Sequence, residues 1–364
     1  MTQQAVIRSG DVVHVTGARP NFPKAAPVIA ALAKAGIPQR LIHTGQHYDD
    51  ALSDSFFRLL NLPTPDLNLG VGSGSHASQT AAIMIGFEKA IADVKPAMIV
   101  VYGDVNSTVA AALVAAKLEI PVAHVEAGLR SFDLSMPEEI NRKLTDQLSD
   151  LLLITSPEAE ENLKREGLAE RKIVFVGNSM IDTLLSHLAE FDSAKITNEL
   201  GITGDYAVAT LHRPGNVDDL STAKSIVTAL GEVSKQTQIV LPLHPRGKAS
   251  LYNAGLGEYD QIRVIEPLNY IDFISLVKGA KFVVTDSGGV QEETTILKVP
   301  CLTLRPNTER PITITHGSNQ LVTVANLVQR VTELPAPKDV VPPLWDGKAG
   351  ERIAAAIIEF LGSK

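Results

Sequence analysis

Val122-Ala123-His124-Val125-Glu126-Ala127-Gly128-Leu129-Arg130, followed after a short connection by Pro137-Glu138-Glu139-Ile140-Asn141-Arg142, reads as a strand, a turn and the start of a helix. The apolar run from Val122 to Val125 ends on a carboxylate and an arginine, and the next helix opens on Pro137 with two carboxylates in its first turn. Proline and acids both suit a helical N-terminus. In parallel α/β sheets the carboxyl ends of the strands open onto the ligand crevice. A second run, Met98-Ile99-Val100-Val101-Tyr102, ends the same way on Gly103-Asp104. The pattern predicts a parallel α/β fold with at least three acids, two arginines and a histidine around one cleft.

Each residue also has a plainer reading. Glu138 and Glu139 could simply complement the helix dipole, Asp104 could cap the helix after it, and His124, inside an apolar strand, reads as a core residue. Glu126 resists such a reading, because a carboxylate at the end of a buried strand is costly unless it is paired or used.

Outward from this centre, short β-branched runs alternate with amphipathic stretches, the pattern of parallel strands with crossover helices. Strands are expected at 12–16, 40–44, 98–102, 122–125, 151–155 and 173–176, with helices such as 24–35, 79–91 and 107–117 between them. After a helix beginning near Met180, the polar, glycine-containing stretch 194–205 reads as a hinge. A second series follows, with strands at 206–211, 238–243, 263–265, 282–285 and 301–304. The expected architecture is two Rossmann-like α/β domains facing across a cleft, 1–193 and 194–349, with the last helix, 350–364, returning to the first domain.

Composition narrows the function. A chain of 364 residues can bury two cores. Its net charge of −8, with 20% charged residues, supplies no basic field for nucleic acid and no polybasic surface for a membrane. The single cysteine, Cys301, lies in an apolar run, which argues against disulfides and a zinc site and fits a reducing cytoplasm. Residues 1–10 show no apolar leader, and no stretch reaches the roughly 18 apolar residues of a spanning helix. A soluble enzyme acting on a small molecule, without metal or cofactor, is the expectation.

The second half carries the anion signal. In Val283-Val284-Thr285-Asp286-Ser287-Gly288-Gly289-Val290-Gln291-Glu292-Glu293 a strand ends in Ser-Gly-Gly and runs straight into a helix, so free backbone N–H groups meet whatever lies over the glycines. Glu293, about one turn further, could accept hydrogen bonds from both hydroxyls of a ribose. The loop sits late in its domain, unlike the Gly-x-Gly-x-x-Gly of NAD sites. Thr210-Leu211-His212-Arg213-Pro214-Gly215-Asn216 and Arg305-Pro306-Asn307-Thr308-Glu309-Arg310-Pro311 add cations at strand ends, whereas His244, before Pro245-Arg246, reads as structural.

Gly17-Ala-Arg19-Pro-Asn-Phe-Pro-Lys24, Thr44-Gly-Gln-His47, Gly103-Asp104, His124 to Arg130, Pro137 to Arg142, His212-Arg213, Asp286 to Glu293 and Thr308 to Pro311 follow one another along nearly the whole chain. As a set they resemble the non-hydrolysing UDP-N-acetylglucosamine 2-epimerase family. The resemblance implies a glycosyltransferase B-type fold, a UDP-sugar substrate, a homodimer, and interconversion of UDP-N-acetylglucosamine with UDP-N-acetylmannosamine. It implies catalytic roles for Asp104, Glu126, Glu138 and His212, and substrate binding by Arg19, Lys24, Arg142, Ser287, Gly288, Gly289, Glu293 and Arg310. The connection Ser131-Phe-Asp-Leu-Ser-Met136 is shorter than in many bacterial members. The loop Gly70-Val-Gly-Ser-Gly-Ser-His76 lacks the arginine of members that bind UDP-N-acetylglucosamine as an activator, and Tyr48-Asp49 follow His47, so hyperbolic kinetics are expected. Related substrates are UDP-2,3-diacetamido uronic acids, with 132–136 or His76 placed to read C3 or C6. A B-type glycosyltransferase, a hydrolysing epimerase and a silent UDP-sugar sensor are the other classes.

The proton at C2 of such a sugar is not adjacent to a carbonyl, so direct abstraction and return is too uphill for a side-chain base. Elimination avoids this: a base takes the C2 proton as UDP leaves C1, giving a 2-acetamidoglucal, and re-addition with protonation from the other face inverts C2. The route needs acid/base groups on both faces and cationic stabilisation of the departing diphosphate. Replacing any of the three acids by its amide is expected to lower turnover and leave folding largely intact.

Overall fold

The apolar runs form strands whose side chains are buried on both faces, as parallel sheets covered by helices require. The computed structural model describes residues 7–46, 57–243, 245–334 and 336–363; His47, Tyr48, Asp49 and His244, singled out above, lie outside the described residues. The chain divides into two units, Met1–Ser186 with Pro343–Lys364, and His187–Pro342.

In the first unit the strands are β1 (Val12–Thr16), β2 (Gln39–His43), β3 (Leu67–Asn68), β4 (Met98–Tyr102), β5 (Val122–Ala127), β6 (Leu151–Ile154) and β7 (Lys172–Phe175). Among the described residues they form one sheet in the order β3-β2-β1-β4-β5-β6-β7, every neighbouring pair parallel. Its helices include α1 (Phe22–Lys34), α2 (His76–Ile91), α3 (Asn106–Lys117), α4 (Pro137–Leu148), α5 (Pro157–Arg165) and α6 (Ser179–Ser186). Alternate residues point to opposite faces. Val12, Val100, Tyr102, Ala123 and Val125 pack with Phe22, Val28 and Leu32 of α1, while Val13, Val15, Ile99 and Val101 pack with Phe87 of α2 and Ala111 and Ala115 of α3.

The second unit has β8 (Tyr206–Thr210), β9 (Gln238–Pro242), β10 (Ile262–Ile265), β11 (Val283–Thr285), β12 (Cys301–Leu304) and β13 (Asn319–Val322), again all parallel, in the order β10-β9-β8-β11-β12-β13. Its helices include α7 (Ser193–Glu199), α8 (Leu220–Ser234), α9 (Tyr270–Lys278) and α10 (Gly288–Leu297). The stretch 194–205, expected as a hinge, instead holds most of α7. Asp192 caps this helix by accepting from the Lys195 N–H at 2.9 Å, and Ile196 is buried with Leu276 and Val277 of α9. A capped turn with one apolar anchor is stable in a segment whose composition looks like linker.

After the second unit the chain rejoins the first. Trp345 is fully buried there and donates to the Thr155 carbonyl at 3.0 Å, and the last helix, α11 (Ala349–Gly362), packs Ile353, Ala354 and Ile357 into the α1 core. The Asp182 carboxylate of α6 accepts from the Ala349 and Gly350 N–H groups at 3.1 and 2.7 Å. Burial pushes the Asp182 carboxyl up to about 6. No helix among the described residues is long and apolar enough to cross a membrane.

Strand order reverses direction between β1 and β4 in the first sheet and between β8 and β11 in the second. Ligands of open α/β sheets bind at such switch points, beyond the carboxyl ends of the strands. The segments there are Gly17–Lys24 and Gly103-Asp104 in one unit, and His212-Arg213 and Asp286–Gly289 in the other.

Candidate active site

In the first unit, Asn21 ties the two switch-point segments together. Its side-chain oxygen accepts from the Gly17 and Ala18 N–H groups, each at 3.1 Å, and its amide donates to the Tyr102 carbonyl at 2.9 Å. Arg19, half-buried, stands in this same turn. Lys24, in the first turn of α1, is buried and forms an ion pair with Glu126 at 2.5 Å. A side chain at Gly103 would put its Cβ 3.0 Å from the Lys24 ammonium, so glycine is what lets the ammonium lie against the end of β4.

Glu126 itself is buried with φ of +76°, while the β5/β6 register shifts between Val125 and Ala127. A left-handed conformation at a non-glycine residue costs about 1–3 kcal/mol and persists only where its surroundings enforce it. The irregularity re-aims the carboxylate from the sheet toward Lys24. Glu126 is therefore neither an ordinary strand residue nor a cap.

Asp104 is not a helix cap, since Val105 holds the N-cap position of α3. Its carboxylate accepts from Arg142 Nη1 at 2.6 Å, and its carbonyl accepts from the Asn141 side chain at 2.9 Å. The buried Arg142 also donates to Glu139 at 2.8 Å. Glu139 in turn accepts from the Ser131 and Phe132 N–H groups at 2.9 and 3.1 Å, clamping the connection before α4, with Phe132 at φ of +59°. The adjacent carboxylates thus separate: Glu139 is a clamp, whereas Glu138 is half-buried and has no hydrogen-bonding or ion-pairing partner among the described residues. Glu138 and Arg142 are four residues apart on α4, so they share a helix face.

Arg130, expected beside the cleft, turns inward, to Asp146 at 2.7 Å and Glu166 at 2.6 Å. His124 is wholly buried; Nδ1 donates to Asp146 at 2.6 Å and Nε2 to the Gly103 carbonyl at 2.8 Å. Burial opposes charge on Asp146, but His124 and Arg130 outweigh it and hold the carboxyl below its ordinary value. This network supports the turn that carries Asp104.

In the second unit, Asp286 closes β11 and is fully buried. It accepts from the backbone of His212 at 3.1 Å and of Arg213 at 3.0 Å, from the Asn216 side chain at 3.0 Å, and from His212 Nδ1 at 2.8 Å. Burial disfavours its charge, but the bonds from His212, Arg213 and Asn216 prevail and lower its pKa. Ser287 is the N-cap of α10, and Ser287, Gly288 and Gly289 are half-buried. A Cβ at Gly288 would lie 2.7 Å from Arg310 Nη1 and 2.8 Å from Glu309 Oε1, which places that buried ion pair against the first turn of the helix. Arg310 Nε also meets Glu292 at 2.9 Å, and Arg305 meets Glu309 at 2.6 Å.

Glu293 is buried one turn into α10, and burial pushes its carboxyl up to about 8, the Tyr270 hydroxyl opposing the shift and Glu292 adding to it. Because the folded value exceeds the ordinary 4.5, the folded state binds the extra proton, and stability falls as pH rises from about 4.5 to about 8. Glu293→Gln should therefore flatten the loss of thermal stability over that range. Melting curves of variant and parent that stay parallel from pH 5 to 8 would remove Glu293 from the pH dependence.

The sequence reading missed Asp286 as an anchor, Asn21 as a tie and Tyr270 as the neighbour of Glu293. Only Asp286 carried a signal, a carboxylate directly after a buried strand.

Two parallel α/β units, each with its polar groups at a switch point, make a glycosyltransferase B-type fold. The chain belongs to the UDP-N-acetylglucosamine 2-epimerase family, whose model matches residues 30–358. It is 45% identical over 352 residues to UDP-N-acetylglucosamine 2-epimerase of Methanocaldococcus jannaschii, 93% of this chain and 96% of the relative. It is 42% identical over 320 residues to UDP-2,3-diacetamido-2,3-dideoxy-D-glucuronate 2-epimerase of Pseudomonas aeruginosa, 86% of this chain and 88% of that one. The crystal structure of the M. jannaschii enzyme in complex with UDP-GlcNAc and UDP matches with TM-score 0.89 at 43% identity, covering 97% of this chain and 100% of that chain.

Proposed function

We propose that this protein interconverts UDP-N-acetylglucosamine and UDP-N-acetylmannosamine without hydrolysis, by elimination of UDP and re-addition to the glucal. The observation that carries the reading is the buried Glu126, held in a left-handed bulge against Lys24 beside Gly103-Asp104. In the forward step a carboxylate takes the C2 proton, the C2–H pair forms the C1–C2 double bond, and the C1–O pair leaves with UDP. In the return the same UDP oxygen attacks C1 while an acid protonates C2 from the opposite face. Asp104, Glu126 and Glu138 supply the acid/base groups for the two faces.

The diphosphate is assigned to the first turn of α10, Ser287-Gly288-Gly289, with Arg310 beside it. Glu293 would accept the ribose hydroxyls, and Arg19 and the exposed His212 would meet the departing charge. Lys24 and Arg142, buried in ion pairs with Glu126 and Asp104, serve the substrate by holding those carboxylates. The reading extends to a cytoplasmic homodimer serving cell-surface polysaccharide synthesis. The exposed apolar side chains Ile85 on α2 and Ile140 and Leu144 on α4 offer the first unit a surface for a second copy.

The test is incubation with UDP-N-acetylglucosamine in deuterated water, followed by proton NMR. Deuterium at C2 of both intact UDP-sugars is the expected result. Free N-acetylmannosamine would mean a hydrolase. A lack of exchange, with exchange into a UDP-2,3-diacetamido uronic acid, would transfer the activity to the substrate class of the Pseudomonas aeruginosa relative.

A further inference from the structure

Asp286 has no exposed surface, yet one of its partners, His212, has a side chain 61% exposed. The carboxylate holds this histidine twice, through its backbone N–H and through Nδ1. It also fixes the residues on either side of the turn, Arg213 and Asn216, while the Arg213 guanidinium donates to the Asp286 carbonyl at 3.0 Å. An ionised carboxylate can only accept, so the proton of the 2.8 Å contact belongs to Nδ1. The nitrogen that remains for chemistry is Nε2, which has no partner among the described residues.

We propose that Asp286 is the positioning residue for His212 in the epimerase reaction. It fixes the Nδ1–H form and the ring orientation, so that Nε2 is the nitrogen that gives a proton to the departing diphosphate. The inference rests on the assignment of His212 to the leaving group made above. As the C1–O bond breaks, its pair goes to the β-phosphate oxygen, the Nε2 proton passes to that oxygen, and His212 becomes a neutral imidazole still bonded through Nδ1–H to Asp286. On re-addition the proton returns to Nε2 as the oxygen bonds to C1. The arrangement is the orienting half of a carboxylate–histidine pair, in which the acid does not itself become protonated. A tight turn alone would need the backbone bonds to His212 and Arg213; it would not need a fully buried carboxylate on the ring nitrogen.

Two measurements test it. In long-range proton–nitrogen NMR of the wild-type protein at a pH where His212 is neutral, with its signals assigned by their loss in His212→Ala, Nδ1 should be the protonated nitrogen. Free imidazole side chains favour the other form, so a proton on Nε2 overturns the proposal. In kinetics, Asp286→Asn should lower kcat by roughly 10²-fold or more with little change in KM. Added to His212→Ala, it should cost no more than about twofold further, because residues acting as one unit are not additive. An undiminished loss from Asp286→Asn in the His212→Ala background would assign Asp286 a purely structural role and sink the proposal. Absence of C2 exchange in the wild-type protein would instead defeat the epimerase reading, and the nitrogen spectrum would still decide the tautomer.

Discussion

Glu126→Gln should lower epimerase turnover by roughly 10²-fold or more, the scale of a positioned acid/base group, and should also destabilise the fold. Glutamine keeps the shape but leaves the buried Lys24 ammonium, 2.5 Å away, without its counter-charge. Breaking a buried pair by removing one partner costs about 3–5 kcal/mol. Lys24→Met should also destabilise the fold, by removing a counter-charge of the buried Glu126 carboxylate. The double substitution removes both charges and should recover much of that stability without recovering turnover. The two properties therefore come apart, and urea unfolding beside initial rates reads them separately. Glu138→Gln is the contrasting case. Glu138 has no partner among the described residues, so its substitution should reduce turnover with the unfolding midpoint unchanged. Normal turnover in Glu138→Gln would return that residue to its capping role. Unaltered stability in both single variants at Lys24 and Glu126 would mean that the pair is not held in solution.

The central strands were legible because their physics is local. Met98–Tyr102 and Cys301–Leu304 are buried on both faces, and their apolar runs end where the strands end. Two strands escaped the reading, β3 and β13, and both lie at the edge of a sheet. β3 is two residues long, and β13 is Asn-Gln-Leu-Val, with one half-polar pair where an alternation would have been sought. An edge strand is specified by its neighbour more than by its own pattern. The stretch 194–205 holds most of α7 rather than a hinge for the same reason, since this helix depends on the Asp192 cap and on Ile196 meeting α9.

The candidate site was legible as a set of residue types and less so as a set of roles. Glu138 and Glu139 are adjacent in sequence, but consecutive helical residues point about 100° apart, so one becomes the clamp of the 131–132 connection and the other has no partner among the described residues. Arg130 follows an acidic strand end and Arg142 an acidic helix start; only the tertiary structure sends the first to Asp146 and the second to Asp104. The expectation that acid-to-amide changes spare folding gives way at Glu126 to an expected loss of stability, because its partner Lys24 comes from another βα unit and is invisible from the β5 sequence.

Gly288→Val should reduce UDP affinity by about 10- to 100-fold. The reason is steric crowding of a charged partner, before any contact with phosphate. A Cβ there would come within 2.7 Å of Arg310 Nη1 and 2.8 Å of Glu309 Oε1. Both side chains are ends of flexible residues, but neither is free to swing: Glu309 is bound to Arg305 and Arg310 to Glu292, and all four are buried. Valine would therefore displace Arg310 from the first turn of α10, and a lost hydrogen bond to a charged group is worth about 1.5–3 kcal/mol, or roughly one to two decades of affinity. Gly288→Ala, adding the Cβ without its branches, should show the same change in smaller measure. Arg310→Ala should weaken UDP binding with the glycine intact, and adding Gly288→Val to Arg310→Ala should cost little more, since the displaced group is already gone. Isothermal titration with UDP provides all four values. Affinity in Gly288→Val within about twofold of the parent would place the diphosphate away from α10, and full additivity with Arg310→Ala would separate the glycine from the arginine.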